Sequence, residues 1–143
     1  MHECDIRRLM EDSFLLNKHI QEFTERKILK QQKRDAAEQE GHILKSEHNL
    51  RFVAENIKMG FIDWAITGAY YASYHAALAL MQTKGYTSKN HLATLCILIR
   101  DFYGKEINKE DLELLSSFLD YEDILCYVES KEKREEASYS TTI

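Results

Sequence analysis

The chain has 143 residues and a mass of 16.8 kDa, which allows a single domain around one hydrophobic core. It contains no proline and five glycines, and valine, a residue typical of strands, occurs only twice. Because strands favour β-branched residues and turns favour glycine and proline, this composition argues against an all-β or a βαβ fold. It predicts an all-α protein.

Composition also excludes several classes of protein. No apolar stretch approaches the roughly 18 residues of a membrane span, and the charged N-terminal sequence MHECDIRRLMEDS is unlike a signal peptide. We therefore expect a cytoplasmic protein with no membrane contact. Cys4, Cys96 and Cys126 show no CxxC spacing, which indicates neither a disulfide framework nor a zinc site. Cys96 and Cys126 are expected to be small core residues, and no metal or other cofactor is expected.

The net charge of −5 is distributed unevenly along the chain. Residues 108–143 carry four basic and ten acidic side chains, whereas basic and acidic residues balance over residues 1–60. Phosphate binding depends on clustered lysine and arginine, so this charge predicts weak binding of nucleic acid by a lone subunit. The acidic run is expected to be a solvated helix face, with a docking surface for a basic partner as the alternative.

The first half of the chain predicts two helical stretches. Apolar residues keep helical spacing from about Ile6 to Ile28, and the polar residues 30–40 that follow favour a break over one continuous helix. A second apolar stripe consists of Ile43, Leu50, Val53, Ala54 and Ile57. It ends at Gly60, where glycine suits a left-handed C-terminal cap.

The segment from Phe61 to Lys84 is the most informative part of the sequence. On a helical projection, one side is a ridge of small residues: Gly68, Ala72, Ala76 and Ala79. An adjoining side is apolar and contains Ile62, Ile66, Ala69 and Leu80. A third side is polar and aromatic, with Asp63, Thr67, Tyr70 and Tyr74, and with Tyr71 and His75 beside them. A helix that is apolar on most of its circumference is expected to be the central and most buried one.

The remaining sequence predicts two more helices. Ser88 is the expected N-cap of a helix that runs to about Tyr103, and Gly104 ends it. Asn108 can cap the next helix, with Asp111 in a capping-box position. The apolar residues of that helix are Leu114, Phe118, Tyr121, Leu125 and Val128. Together these elements predict an up-and-down antiparallel bundle of four or five helices within one domain, 1–143.

The central segment resembles the signature of the HEPN family (higher eukaryotes and prokaryotes nucleotide-binding domains), in its small stand-alone prokaryotic branch. The matching positions are Gly60, Asp63–Trp64–Ala65, Tyr70–Tyr71, Tyr74–His75–Ala76–Ala77, Lys84–Gly85 and Lys89–Asn90–His91. The resemblance is strongest over residues 41–106, with residues 1–40 as a helical extension and residues 131–143 as a polar tail. It implies a helical bundle that forms a homodimer and pairs with a minimal nucleotidyltransferase, in the manner of a toxin and its antitoxin.

Catalytic HEPN proteins are metal-independent ribonucleases with an arginine, four to six residues and then a histidine. No arginine of this chain has a histidine at that interval, and after Arg134 the histidine position is occupied by Tyr139. A phenol with a pKa near 10 is a poor general base at neutral pH. We therefore expect a non-catalytic module that binds a partner or a nucleotide. A ribonuclease with an atypical active site and a purely structural scaffold are the alternatives.

The candidate ligand-binding or interface residues are Asp63, Tyr70, Tyr71, Tyr74, His75, Lys89, His91, Arg134 and Tyr139. His75 suits acid–base chemistry or nucleotide binding, and equally a hydrogen-bonded position inside the bundle or at a dimer seam. His91 and Lys89 suit a phosphate site at a helix N-terminus, or the solvated cap of that helix. A metal site at His75 and His91 is not indicated, because no carboxylate or cysteine lies at ligand spacing. His42 and His48 are expected on a solvated surface.

Overall fold

A computed structural model of the protein describes residues 3–117. Its elements, in chain order, are α1 (Glu3–Glu11), α2 (Ser13–Glu25), β1 (Leu29–Gln31), α3 (Ala36–Lys58), α4 (Ile62–Gln82), β2 (Tyr86–Ser88) and α5 (His91–Ile97). A π-helical turn, Leu98–Phe102, continues α5, and a further helix, α6, covers residues 109–117. The predicted all-α fold is confirmed. No helix among these residues is long and apolar enough to cross a membrane.

The N-terminal region contains two helices where the sequence predicted one. Asp12 interrupts the expected Ile6–Ile28 helix, because its side chain accepts a hydrogen bond of 3.0 Å from the backbone N–H of Leu15 and so caps α2. The predicted break after this region is confirmed, since residues 32–35 are not helical and α3 begins at Ala36.

A short antiparallel ribbon, which the sequence did not predict, joins the two halves of the chain. Leu29 pairs with Ser88, and Lys30 pairs with Thr87. The ribbon extends to Gly85, whose carbonyl accepts from the N–H of Gln32 at 2.9 Å. Gly85 has a φ of +77°, and a Cβ at this position would lie 1.7 Å from the carbonyl oxygen of Gln32. Only glycine therefore fits at the predicted Lys–Gly turn.

Helices α3 and α4 form a long antiparallel hairpin around the turn at Gly60, which has the expected positive φ. Gly68, from the ridge of small residues on α4, lies against α3: a Cβ on Gly68 would lie 2.8 Å from the ring of Phe52 and 2.9 Å from Val53. Farther along the hairpin, the Ser46 hydroxyl donates to the carbonyl of Ala72 at 2.8 Å.

The expectation that α4 is the most buried helix is wrong for the described part of the chain. Ala76 is exposed, and Ala69 and Leu80 are only half-buried. The most buried segment is instead the one formed by the end of α5 and the start of the π-helical turn, where every residue from 93 to 99 is buried. Helix α4 contributes Ala77 and Met81 to the same core, and α1 and α2 contribute further apolar side chains to it.

Helix α5 begins two residues later than predicted. Ser88 lies in β2 instead of capping the helix, and Asn90 takes that role, because its side chain accepts from the N–H of Ala93 at 2.7 Å. Cys96 lies in the core as expected, and burial raises the pKa of its thiol to about 12. The other two cysteines lie outside the residues whose side chains are described.

The capping box of α6 is present as predicted. The side chain of Asn108 accepts from the N–H of Asp111 at 2.9 Å, and the carboxylate of Asp111 accepts in return from the N–H of Asn108 at 3.1 Å. Of the apolar pattern predicted for this helix, only Leu114 falls inside the described residues, and the positions from 118 onward lie outside them.

Candidate functional site

The first part of the candidate site lies between α4 and the start of α5. Tyr70 is buried, and its hydroxyl lies 2.7 Å and 2.8 Å from the two ring nitrogens of His91. One turn later, the ring of Tyr74 packs edge-on against the same imidazole with 4.2 Å between centroids. The Tyr74 hydroxyl is 3.4 Å from the hydroxyl of Thr94. His91 is therefore held by two tyrosines of the predicted polar stripe.

The ribbon places His91 opposite these tyrosines. The backbone N–H of Lys89 donates to the carbonyl of Ile28 at 3.0 Å, which fixes the chain directly before α5. Asn90 then caps the helix, so His91 becomes its first residue and faces α4. The side chain of Lys89 is exposed.

The second part of the site lies between α3 and α4, where His42 and His75 contact each other. Their Nδ1 atoms are 3.0 Å apart, and their rings are stacked with centroids 5.2 Å apart. A nitrogen pair at this distance holds one proton between them, so one imidazole donates and the other accepts. The expectation that His42 lies on a solvated surface is therefore wrong, whereas His48 is exposed as expected.

The surroundings of this histidine pair disfavour its charged form. Burial is the largest cause that lowers the pKa of both His42 and His75, and the positive charge of Lys45 acts in the same direction. Glu38, whose carboxylate is 3.7 Å from Nε2 of His42, opposes the shift at that residue. A neutral imidazole pair at physiological pH can accept a proton or donate a hydrogen bond.

The two parts are joined into one row of rings by Tyr74. Its ring centroid lies 6.2 Å from that of His75 and 4.2 Å from that of His91. The row therefore runs from His42 through His75, Tyr74 and His91 to Tyr70, and we call these five side chains the aromatic row.

The other predicted site residues lie at the margin of the aromatic row or outside it. Tyr71 is half-buried beside Tyr70, with 5.2 Å between ring centroids. Asp63 is exposed in the first turn of α4, two turns before Tyr70. Arg134 and Tyr139 lie outside the described residues. Within residues 3–117, no group of three histidine, cysteine, aspartate or glutamate side chains could hold a metal ion.

His42 was missed because its partner is set by the register of the α3–α4 hairpin. The signal is nevertheless present in the sequence, since His42 lies 18 residues before Gly60 and His75 lies 15 residues after it. Residues at similar distances from the turn of an antiparallel helix pair lie side by side. The positions of His42 and His75 relative to Gly60 are therefore consistent with a contact across the hairpin.

These features define an all-α protein with a histidine- and tyrosine-lined site on an antiparallel helix pair. The HEPN domain model matches residues 39–142, which is more than half of the chain, and the protein belongs to this family. No curated protein and no solved structure matches the chain.

Proposed function

We propose that this protein is a non-catalytic HEPN module that binds a nucleotide through the aromatic row and acts with a nucleotidyltransferase partner, as in toxin–antitoxin pairs. The observation that carries the proposal is the row itself. Five aromatic side chains from three helices converge, and the histidines among them contact one another or a tyrosine. Aromatic rings can stack on a nucleobase, and neutral imidazoles can pair with its polar edge.

The arrangement of the histidines supports binding over catalysis. Cleavage of RNA without a metal needs a base near the 2′-hydroxyl and a cation that stabilises the charged phosphorane. In the family motif an arginine on the same helix face supplies the cation. Here the Nδ1 atom of His75 is engaged by His42, and the hydroxyl of Tyr70 contacts His91.

Nucleotide binding is tested by calorimetric titration of the purified protein with ATP. We expect His42→Gln to weaken binding at least tenfold, because His42 fixes His75 in the aromatic row. His48→Gln is the matched control, since His48 is exposed on the same helix. Equal affinity of the two variants, or no heat of binding in the wild type, would contradict a nucleotide site here.

The homodimer belongs to the same proposal, and HEPN domains commonly dimerise. Helix α3 has no buried residue in the described structure, and Leu50 and Ile57 are 56% and 55% exposed. Helical geometry places the stripe Ile43, Leu50 and Ile57 on the same side of the hairpin as Ile62 and Ile66 of α4. This exposed apolar surface, which we call the hairpin face, suits contact with a second copy.

Light scattering tests the dimer through the hairpin face. We expect the wild type to have about twice the 16.8 kDa mass of one chain, and Leu50→Glu to shift the mass toward the monomer. Arg51→Glu is the control, because Arg51 is the next exposed residue of α3 but points away from the hairpin face. A dimer that persists in Leu50→Glu would place the contact elsewhere.

The identity of the neighbouring gene, followed by co-expression, tests whether the protein has a nucleotidyltransferase partner. If that gene encodes a protein with the paired aspartates of a nucleotidyltransferase, we expect the two proteins to co-purify after co-expression. Failure of a tagged nucleotidyltransferase to retain this chain would remove the partner from the proposal and leave the nucleotide site untouched.

One observation favours the alternative of a ribonuclease with an atypical site. A neutral histidine pair near Lys45 combines a proton acceptor with a cation, which are the two groups that RNA cleavage needs. Single-turnover incubation with structured and unstructured RNA decides between the two functions. We expect no cleavage. Cleavage by the wild type that is lost in His75→Ala or His91→Ala would make that histidine catalytic.

A further inference from the structure

An open groove of about 240 Å³ lies between α4 and α6. Ser73, Ala76 and Leu80 belong to its α4 wall, and Asp111 and Leu114 belong to the facing wall. Its lining is mostly apolar, and none of its residues belongs to the aromatic row or to the hairpin face. We call this feature the α4–α6 groove.

The size of the α4–α6 groove follows from the small side chains of α4. Residues 73, 76, 77 and 80 recur at helical spacing and therefore share one side of the helix. Ala76 is exposed in this wall, and a larger side chain there would fill the space. An apolar cavity of about 150 Å³ holds a benzene molecule, so the groove admits an aromatic ring with a short substituent. It covers two turns of α4, about 10 Å, which is too short for a docked helix.

Ser73 places a hydroxyl without an internal partner in this apolar wall. A serine or threonine within a helix can donate to the carbonyl four residues earlier, as Thr67 does to Asp63 at 3.1 Å. Within residues 3–117, the hydroxyl of Ser73 forms no hydrogen bond. Because Ser73 is only half-buried, this hydroxyl can bond to a molecule in the groove.

Asp111 supplies a negative charge that no cation of the described chain compensates. One oxygen of its carboxylate accepts from the N–H of Asn108 at 3.1 Å, and this bond belongs to the capping box of α6. In the part of the chain that the structure describes, Asp111 forms no ion pair. The nearest lysine in the sequence, Lys109, pairs with Glu113 at 3.8 Å. A cation that enters the groove therefore meets a carboxylate without a charged partner.

We propose that the α4–α6 groove binds a small organic amine. Sites for small molecules are mostly apolar and contain a few polar groups that orient the ligand. The apolar body of the amine contacts the alanine and leucine side chains of the groove, its ammonium group pairs with Asp111, and the hydroxyl of Ser73 offers a further hydrogen bond. The carboxylate of Asp111 repels phosphates, so this site differs in ligand class from the nucleotide site proposed at the aromatic row.

The test is a ligand-observed NMR titration with 2-phenylethylamine and with 2-phenylethanol, a neutral probe of the same shape. We expect the amine to bind with a Kd of about 1 mM or below, and about threefold or more tightly than the alcohol. Asp111→Asn keeps an acceptor for Asn108 but removes the charge, so it should abolish this preference. Glu110→Gln removes the same charge at an exposed position outside the groove and should keep the preference. Loss of the preference in both variants, or no binding of the amine to the wild type, would overturn the proposal.

A second pair of variants tests where the amine binds. Ala76→Phe fills the groove and should weaken binding of the amine about tenfold or more, because the added ring occupies the space of the ligand. Ala37→Phe adds the same ring at an exposed position of α3 and should leave binding unchanged. Both alanines are exposed, so we expect both variants to fold, which thermal unfolding checks. Equal affinity of the two variants would place the amine elsewhere and overturn the proposal.

The same variants separate the groove from the other proposed contacts. Ala76→Phe should still bind ATP, and His42→Gln should still bind the amine, because the groove and the aromatic row share no residue. A change of mass in Ala76→Phe by light scattering, with no binding of the amine to the wild type, would assign the groove to a second copy of the chain instead.

Discussion

The described chain has two regions that differ in how deeply their apolar side chains are buried. In the base, formed by α1, α2, α5 and the π-helical turn, apolar side chains such as Leu95, Leu98 and Phe102 are buried almost completely. In the α3–α4 hairpin, Leu50, Ile57 and Trp64 are more than half exposed. Both regions are helical, so helix content does not distinguish them. The base stabilises the fold, whereas the hairpin offers surface for contacts with other molecules.

The largest expected effect on stability comes from comparing a leucine-to-alanine substitution in the base with one in the hairpin. Leu98→Ala in the base should lower the free energy of unfolding by about 2–5 kcal/mol, because Leu98 is fully buried. Leu50→Ala in the hairpin removes a side chain that is 56% exposed and should cost less than about 1 kcal/mol in the monomer. Urea unfolding at low protein concentration measures both. Similar losses would mean that the hairpin is part of the core.

A pair of glycines within the hairpin sharpens the comparison. Gly41 has no neighbouring atom within 4 Å of an added Cβ, so Gly41→Ala should stabilise the protein by about 0.5–1 kcal/mol through higher helix propensity. Gly68→Ala places a methyl group 2.8 Å from the Phe52 ring and should cost about 1–3 kcal/mol. Thermal unfolding of both variants tests whether the two substitutions change stability in opposite directions. Stabilisation by Gly68→Ala would show that α3 and α4 are not tightly packed there.

The smallest expected effect is the dependence of hairpin stability on pH. The pKa values of His42 and His75 are lowered in the folded protein, mainly by burial, and Glu38 and Lys45 are the charged groups nearby. The unfolded chain therefore binds more protons as the pH falls through the ordinary histidine pKa of about 6.5, so acid destabilises the fold.

Urea unfolding at pH 7.5 and 5.5 measures this dependence. The wild type should lose more stability between these values than the double variant His42→Gln, His75→Gln, and His48→Gln should behave as the wild type does. An identical loss in the double variant would assign the pH dependence to other groups.

The sequence predicted the features that depend on local chemistry. The capping box of Asn108 and Asp111, the break between α2 and α3 and the turn at Gly60 all follow from interactions between residues close in the chain. The polar stripe with Tyr70 and Tyr74 was also found, because helical periodicity alone places these side chains together.

Features that depend on distant pairing were not predicted. The ribbon consists of strands of three residues whose partners lie almost 60 positions apart, too short for a periodic signal. Because Ser88 belongs to β2, the N-cap of α5 is Asn90 and not the predicted Ser88. The exposure of α4 was not predicted for a related reason. Helical periodicity identifies an apolar face, but it does not show which element packs against that face.

The contact between His42 and His75 has a consequence for the tautomers of the two rings. The carboxylate of Glu38 favours a proton on Nε2 of His42, 3.7 Å away. Neutral His42 then has a bare Nδ1, which accepts the proton of His75 Nδ1 across 3.0 Å. His75 is left with a lone pair on Nε2. Glu38, which belongs to the first turn of α3, thereby makes Nε2 of His75 a hydrogen-bond acceptor. A molecule that binds at this nitrogen must supply a hydrogen-bond donor, such as an exocyclic amine.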